Sequence, residues 1–448
     1  MMGGDTILGR LATEWSAVTA DDVPGDAAAV VGQCLLDWLG CAVAGSAEPL
    51  ARIMVGALAV GDGGGPSTIV GTTLVASART AALVNGAAGH ALDFDDTHTA
   101  LSGHPTVPVL PAVLALAEEL DSSMLALRTA FAVGVEVECR LGALLAPGHY
   151  RAGWHATGTL GTIGAAAACA HLLGLDPERT THALALAATQ AAGLKASFGT
   201  MAKPLHAGKA AADGLLAARL AAGGFTGNPA IIEAAQGLGD AAGGGTVPAI
   251  ERLDRFEGRW LIRDTLFKYH AACYLTHASI NAALGVRPDL EVGHIEAVEV
   301  HVARDSLQVC NIERPTTGLE GKFSLRATTA MALLGDDTTD MASYSDQRMG
   351  DRDLVELRER VTVVPDADRV GTRSRVVVIT DDGRRLEAED DTGRPAADLD
   401  LQQQRLAAKF AALASPVLGA DAATAVREAA LAAEASASVR SLTALLSA

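Results

Sequence analysis

The sequence predicts a mainly α fold, in which a large helical domain built from both ends of the chain carries a smaller inserted α/β domain. Hydrophobic residues make up 49% of the 448 residues and aromatic residues only 4%. Ala, Leu and Val at close helix contacts must therefore fill most of the interior. Helical patterns dominate up to about residue 265 and return after about residue 400, with β-like alternation between them. The length also favours two domains over one.

The helical domain is predicted to comprise residues 1–266 and 400–448. Its segments are rich in Ala and Leu and are separated by Gly, Pro, Asp and Asn. Glycines inside such helices cost about 1 kcal/mol each relative to Ala, so close approach between helices is the expected compensation. The glycine-rich stretch 242–245 is predicted to be a surface turn. The clearest helical segments are 26–45, 76–94, 111–120, 158–175, 209–225, 401–414 and 422–435.

The inserted domain is predicted to span residues 267–399, as an α/β lid. Segments 295–302, 360–366 and 374–389 are rich in β-branched residues and alternate, which predicts strands. Within the last of them, Asp-Asp-Gly at 381–383 predicts a hairpin turn because Gly can adopt a positive φ. Segment 318–335 is predicted to be a loop leading into a helix.

The net charge of −18 argues against nucleic-acid binding, which needs a cationic surface. If the ligand is an anion, the overall field repels it, and cations must be concentrated in a cleft. The six cysteines are scattered without CxxC pairs, which predicts buried thiols in a reducing compartment and neither disulfides nor a zinc site. The N-terminal residues do not resemble a secretion signal, and apolar stretches are interrupted before the roughly 20 residues of a membrane span. We therefore expect a cytoplasmic protein without a membrane partner.

One apolar region, residues 90–112, contains three histidines, three aspartates and three threonines. If the helix continues through it, His90, Asp93 and Thr97 share one face. On that assumption the other acidic and histidine side chains of the segment, Asp95, Asp96 and His98, point elsewhere.

The end of this region should be stiff. Pro105 removes His104 from the helical conformation and places it on a loop beside a helix start, and Pro108 and Pro111 fit the first turn of that helix. A purely structural interpretation remains open, in which Asp96 or Thr97 caps a helix and the histidines are paired core residues. The number of ionisable groups argues against it, since burying so many requires unusually complete pairing.

Four further motifs contain polar side chains that are candidates for anion binding. In the first two motifs these side chains lie beside Gly or Pro at predicted helix starts, where backbone N–H groups attract anions. Each has an ordinary alternative, such as a solvated Lys209 or a core His277. Taken together they suit a ligand with more than one carboxylate. They are His155 in GWHATGT, Lys203, His206 and Lys209 in KPLHAGKAA, Lys268, His270 and His277 in FKYHAACYLTHA, and Lys322 and Ser324 in GLEGKFSL.

These motifs, in this order, resemble those of the MmgE/PrpD family. The resemblance begins with HALDFDDTH and HPTVPVLPA, continues through the motifs just quoted, and also includes LLDWLGCAVAG at 35–45 and LAAKFAALA at 406–414. It implies a helical domain with an α/β lid, a homodimer formed through the helical domain, and an active site between the domains that uses neither a metal nor another cofactor. His270 and the HPT triplet depart from the family pattern as we know it, which leaves the substrate open.

Carried over residue by residue, the resemblance implies a catalytic set, and it makes His206 a neighbour of that set. Substrate contacts are predicted for the remaining polar residues of the motifs. The catalytic set is Asp93, Thr97, His104, His155, Lys203 and Lys268, and the predicted substrate-binding set is His90, His206, His270, His277, Lys322 and Ser324.

The family reactions share proton or electron-pair chemistry at a carbon next to a carboxylate. Lys203 and Lys268 are our candidates to stabilise the charge that builds up there, and His104 or His155 is the candidate base. Asp93 would orient an imidazole, and Thr97 would donate a hydrogen bond to the substrate. Dehydration, decarboxylation and epimerisation of a methylcitrate-, cis-aconitate- or iminodisuccinate-like acid all remain open.

Two functions of other classes also remain. The DFDD stretch resembles an aspartate-rich magnesium site of diphosphate enzymes, and oxygen-rich clusters suit Mg²⁺. That alternative lacks the expected aromatic lining and leaves the Lys and His motifs unexplained. A non-catalytic binding protein is the second alternative, although chemically competent side chains occupy every carried-over position.

Overall fold

The computed structural model describes residues 6–58, 64–145, 148–243, 249–432 and 436–447. The chain divides into two compact units, Met1–Phe267 with Pro395–Ala448, and Lys268–Arg394. The first is helical apart from one short hairpin, and the second combines a four-stranded sheet with helices. The predicted fold class, mainly α with a small α/β part, is confirmed.

Helices and strands are numbered in chain order. The first unit begins with α1 (Ile7–Trp15), α2 (Gly25–Ser46), α3 (Pro49–Leu58), β1 (Ser67–Thr68), β2 (Val75–Ala76), α4 (Ala78–His90), α5 (Thr106–Leu120), α6 (Met124–Leu145), α7 (Gly148–Arg151), α8 (Ala156–Leu172), α9 (Pro177–Ala188), α10 (Ala202–Ala222) and α11 (Leu238–Ala242). The second unit contains α12 (Tyr274–Val286), β3 (Ile295–Ala303), α13 (Gly318–Gly321), α14 (Leu325–Leu334), α15 (Asp346–Gly350), α16 (Arg352–Glu359), β4 (Val361–Asp366), β5 (Arg373–Thr380) and β6 (Arg385–Asp391). The first unit is completed by α17 (Leu399–Leu418), α18 (Ala420–Leu431) and α19 (Val439–Thr443).

Helix α5 contains a proline in its interior, which local sequence preferences disfavour. It begins at Thr106, before the predicted segment 111–120, and Pro111 lies inside it and not in its first turn, so that part of the prediction is wrong. Pro111 has no N–H to donate within the helix. Because every residue from Thr106 to Glu118 is buried, tertiary packing outweighs the missing bond. Of the predicted glycine turn at 242–245, residues 244 and 245 lie outside the described part of the chain.

Helix α2 is a core helix of the first unit. Among the described residues it is the one helix long and apolar enough to cross a membrane by length and composition, yet 78% of its most apolar window is buried inside the protein. It packs against α17 and α4. Its Asp37 carboxylate forms a buried ion pair with Lys409 of α17, at 2.6 Å. Neighbouring helices therefore cover the apolar surface of α2.

Small residues let α4 and α10 approach closely. A Cβ atom on Gly208 of α10 would lie 2.1 Å from the carbonyl oxygen of Leu83, and one on Gly86 of α4 would lie 2.8 Å from the Cα of Gly208. This contact brings the helix that ends at His90 against the helix that carries Lys203. The glycines expected to permit tight helix contacts do so here.

The sheet of the second unit has the strand order β4-β3-β5-β6. Strand β3 pairs in parallel with β4 and antiparallel with β5, and β5 and β6 form an antiparallel hairpin. Gly383 adopts a φ of +82° in the turn, as the Asp-Asp-Gly sequence predicts. Helix α12 packs on β5 and β6, and α14 packs against α12.

The contact between α4 and α10 can be tested with a matched pair of glycine substitutions. Gly208→Ala forces a methyl group into the Leu83 carbonyl, so we expect the free energy of unfolding to fall by about 1–3 kcal/mol. Gly32→Ala in α2 meets no atom within 4 Å and should be neutral or stabilising by up to ~1 kcal/mol. Urea unfolding of both variants measures the difference. A Gly208→Ala protein as stable as Gly32→Ala would contradict the described packing.

Candidate active site

The polar segment after α4 forms a loop and not a continuation of the helix. Helix α4 ends at His90, and Asp93 adopts a φ of +51°, a left-handed conformation that Asp tolerates better than most residues. The prediction that His90, Asp93 and Thr97 share a helical face is therefore wrong. The Thr97 backbone exchanges two 2.8 Å hydrogen bonds with Leu266, and these bonds hold the loop in place.

Asp95 lies between two imidazole rings. Its carboxylate is 2.8 Å from Nδ1 of His90 and 3.1 Å from Nδ1 of His104. Burial would raise the pKa of Asp95, but His104 and His90 outweigh burial and bring that pKa well below its usual value. Asp95 is therefore ionised at neutral pH. The expectation that Asp95 points away from His90 is wrong, because the chain has already left the helix.

His90 has the opposite character. Burial lowers its pKa to about 4, and Lys203 and His104 add to that effect, although Asp95 favours the charged form. His90 is therefore neutral at pH 7 and donates its Nδ1–H to Asp95. Its Nε2 is buried and has no hydrogen-bond partner among the described residues.

Lys203 provides a buried positive charge. Its Nζ lies 2.7 Å from Oδ1 of Asp93, and Nε2 of His104 lies 3.5 Å from the same oxygen. The ammonium group also lies 5.1 Å from the ring centroid of Phe198. The contacts thus form one continuous chain that runs from Lys203 through Asp93, His104 and Asp95 to His90.

His155 extends this chain from another helix. It occupies the position just before α8, is 2% exposed, and stacks on His90 with ring centroids 5.8 Å apart. Its Nδ1 lies 3.2 Å from Nδ1 of His206, and the edge-to-face contact with Phe198 has a centroid distance of 5.0 Å. Burial, followed by the charge of Lys203, lowers the pKa of His155 well below the usual value. His155 is therefore a neutral imidazole at pH 7.

Asp96 connects the loop to α5 through hydrogen bonds. Its carboxylate accepts hydrogen bonds from the Thr106 hydroxyl at 2.5 Å and the Thr106 N–H at 3.3 Å. Burial and the nearby Asp37 raise the pKa of Asp96 to about 7, against the lowering effect of Thr106. Asp96 thus interacts with the first residue of α5, in partial agreement with the structural interpretation of this residue.

Thr97 also has a structural contact. Its hydroxyl donates to the Gly103 carbonyl at 3.0 Å, across the loop that carries His104. The backbone N–H of His104 in turn donates to the Thr157 hydroxyl at 3.0 Å. The predicted hydrogen bond from Thr97 to substrate stays a prediction.

The remaining predicted residues belong to the second unit. Lys268 is 1% exposed. His270 contacts the Thr338 hydroxyl through Nδ1 and the Asn281 side chain through Nε2, both at 2.8 Å. His277 Nε2 lies 3.2 Å from the Ala272 carbonyl, as expected of a paired core histidine.

Lys322 and Ser324 lie two positions apart in the same unit. Lys322 Nζ lies 3.4 Å from the sulfur of Met341 and 5.8 Å from the ring centroid of Tyr344. The Ser324 hydroxyl accepts the Ala327 N–H at 3.1 Å and caps α14. Substrate contacts by these second-unit residues stay predictions.

Four side chains of the loop have the donor set of a metal site. Ligand atoms of His90, Asp93, Asp95 and His104 lie within 4.8 Å of one another, and imidazole with carboxylate suits several divalent metals. However, Lys203 already pairs with Asp93, and His104 faces a carboxylate through each ring nitrogen. A metal ion would have to displace these contacts.

Sequence reasoning missed two residues of the site. Asp95 was excluded by the helical assumption, although the spacing of Asp93, Asp95 and Thr97 also matches the period-two pattern of an extended chain. Phe198, which contacts both Lys203 and His155, lies in a segment without any pattern that marks it.

Buried acidic and basic groups with shifted pKa values, gathered in one place, are characteristic of enzymes that transfer protons. Residues 9–251 match the MmgE/PrpD N-terminal domain and residues 270–435 the MmgE/PrpD C-terminal domain. The chain therefore belongs to the MmgE/PrpD family, as its motifs indicate.

The chain is also similar to individual proteins. It is 31% identical to cis-aconitate decarboxylase of Homo sapiens over 358 residues, which cover 76% of this chain and 73% of that protein. The corresponding protein of Mus musculus is 32% identical over 365 residues, covering 76% and 72%. Cis-aconitate decarboxylase of Aspergillus terreus is 29% identical over 342 residues, covering 71% and 70%.

Replacing Asp96 with Asn tests whether the pKa of the buried Asp96 carboxyl is raised in the folded protein. Because the folded-state pKa of Asp96 is raised from 3.8 to about 7, the folded protein holds a proton that the unfolded chain releases. The Asp96 contribution to stability therefore falls as pH rises from about 4 to about 7, by at most about 1.4 kcal/mol per pH unit. Asn has no carboxyl group to titrate, so Asp96→Asn does not lose this stability as pH rises. The free energy of unfolding of the variant, relative to that of the wild type, should therefore increase from pH 5 to pH 7. Urea unfolding across that range measures the difference, and a constant difference would contradict the assignment.

Proposed function

We propose that this protein is a metal-independent lyase that decarboxylates a cis-aconitate-like tricarboxylate. The observation that carries the proposal is the buried chain of contacts from Lys203 to His90, with His155 stacked against its end. The names of the similar proteins favour decarboxylation over the other reactions that the site could perform.

Decarboxylation leaves an electron pair on carbon, and this charge must be stabilised as the carbon–carbon bond breaks. A neighbouring substrate carboxylate can take up the charge if a fixed cation faces it. Lys203 suits this role, because Asp93 and Phe198 hold its ammonium group in a buried position. Asp93 thus acts as a positioning residue for the lysine. Lys268 stays our prediction for a second carboxylate-binding cation.

The carbon must then receive a proton, and His104 and His155 are the candidate donors. His104 lies 3.5 Å from the Asp93 carboxylate through Nε2 and 3.1 Å from the Asp95 carboxylate through Nδ1. His155 is neutral and has a buried Nε2 without a hydrogen-bond partner among the described residues. A group in that state can release a proton to carbon if another proton reaches its Nδ1.

The same site could also support dehydration or epimerisation, because both reactions move a proton at a carbon next to a carboxylate. Dehydration would require protonation of a leaving hydroxyl group, and epimerisation would require proton transfer on opposite faces of the carbon. A homodimer formed through the helical domain and a cytoplasmic location stay predictions.

Incubation with single acids in D₂O, followed by NMR, tests the reaction. We expect cis-aconitate to lose CO₂ and take up one deuterium on carbon, and methylcitrate, citrate and iminodisuccinate to react more slowly. His155→Ala and Lys203→Ala should each lose roughly 10²-fold or more in turnover, as expected for proton-transfer and charge-stabilising groups. Lys209→Ala is the matched control, since Lys209 pairs with Asp213 and has a 40% exposed side chain.

Several results would overturn the proposal. Loss of water from methylcitrate would indicate a dehydratase, and label uptake with racemisation of iminodisuccinate would indicate an epimerase. Full activity in both alanine variants, with circular dichroism showing intact folds, would refute the placement of the site. Activity should survive exhaustive EDTA treatment, so a loss that divalent metal restores would contradict metal independence. Bound acid without any conversion would indicate a binding protein.

A further inference from the structure

We propose that His206 relays protons between solvent and the buried His155. This inference rests on the proposed function, because decarboxylation consumes one proton from water in each turnover. His155 is 2% exposed, so a donor at this position needs a route by which its proton is replaced. His206 is only half-buried and lies on α10.

The two rings meet in a geometry suited to proton transfer. Nδ1 of His155 lies 3.2 Å from Nδ1 of His206. Two neutral imidazoles can share such a hydrogen bond only if one nitrogen donates and the other accepts. When His206 donates, the proton of His155 must reside on Nε2. That nitrogen is buried and has no other hydrogen-bond partner within the described ranges.

The backbone around the pair holds both rings in place. The His155 N–H donates to the Gly193 carbonyl at 3.0 Å. A Cβ atom on Gly193 would lie 3.2 Å from Cγ and Nδ1 of His206, and one on Gly158 would lie 3.0 Å from Cβ of His206. The loop and the start of α8 therefore close directly on His206. A larger residue at Gly193 would displace the ring from His155.

Burial and the surrounding charges keep both rings neutral at rest. Burial lowers the pKa of His206, and Lys209 and Lys203 on the same helix add to that effect. His155 is surrounded by Lys203, His90, His104 and His206, which act in the same direction as burial. Each ring therefore carries a single proton and no positive charge at neutral pH, as the proposed proton relay requires.

The transfer balances in protons and electrons. The bond from the reacting carbon to its carboxylate breaks, CO₂ leaves, and the electron pair remains on carbon. His155 gives its Nε2 proton to that carbon while its Nδ1 receives the Nδ1 proton of His206. His206 takes a proton from water at Nε2, which leaves hydroxide. After the products leave, water exchange returns the proton of each ring to its starting nitrogen, and the cycle has consumed one proton.

The test separates the relay from a substrate-binding role for His206. In His206→Ala we expect steady-state turnover of cis-aconitate in dilute buffer to fall by at least about 10-fold, less than the 10²–10⁴-fold typical of losing an acid–base group itself. The single-turnover rate and KM should change little, since His155 can hold one proton at the start. Added imidazole should restore turnover. His182→Ala is the control, because His182 is a partly buried histidine that contacts only the Gly227 backbone in the described hydrogen bonds.

A raised KM with no rescue by imidazole would overturn the relay and assign His206 to substrate binding. A second measurement does not depend on turnover. In ¹⁵N-labelled protein, exchange of the His155 ring N–H with water should slow in His206→Ala and stay unchanged in His182→Ala. Unchanged exchange in His206→Ala would refute the relay. If the wild type converts none of the acids, the proposed function fails, and the exchange measurement still decides on the relay.

Discussion

The site depends on a buried carboxylate that binds two imidazoles at once. Asp95 contacts Nδ1 of both His90 and His104, in a part of the helical unit that excludes most water. A buried carboxylate is costly unless its charge is paired and its oxygens accept hydrogen bonds. The His90 Nδ1–H donates to Asp95 at 2.8 Å, and the His104 Nδ1 lies 3.1 Å from the same carboxylate. These contacts fix which ring nitrogens remain available. Chemistry at the site therefore follows from how the loop satisfies its own buried charges.

The helical scaffold makes this arrangement possible through close packing. Gly86 and Gly208 bring α4 against α10, so the last residue of one helix and the first turn of the other approach the same loop. Larger side chains at these positions would separate His90 from Lys203. The abundance of small residues, visible in the composition, thus has a direct consequence for the geometry of the site.

Much of the fold could be predicted because its signals are local. The helices that became α2, α8 and α10 show clear apolar patterns, and the β5–β6 hairpin has a turn sequence that dictates a positive φ at Gly383. The path of residues 91–105 could not be predicted in this way. It depends on a left-handed Asp93 held by Lys203, a partner 110 positions away in the sequence. A continuous helix would point Asp95 away from His90. In the structure the chain leaves the helix, and the Asp95 carboxylate contacts both His90 and His104.

The motifs predicted which residue types occur at the site. The roles of individual side chains depend on hydrogen bonds that a sequence does not specify. Ser324 shows this limit: it matched a family motif, and its hydroxyl caps α14. Lys322, two positions earlier in the same short motif, instead has its Nζ 3.4 Å from the sulfur of Met341.

Nitrogen-15 NMR of the His90 side chain measures the Asp95 interaction most directly. At pH 7 the account predicts a neutral ring protonated on Nδ1 and unprotonated on Nε2, and this tautomer should lose its preference in Asp95→Asn. A His90 ring protonated on Nε2 alone, or on both nitrogens, in the wild-type protein would contradict the account.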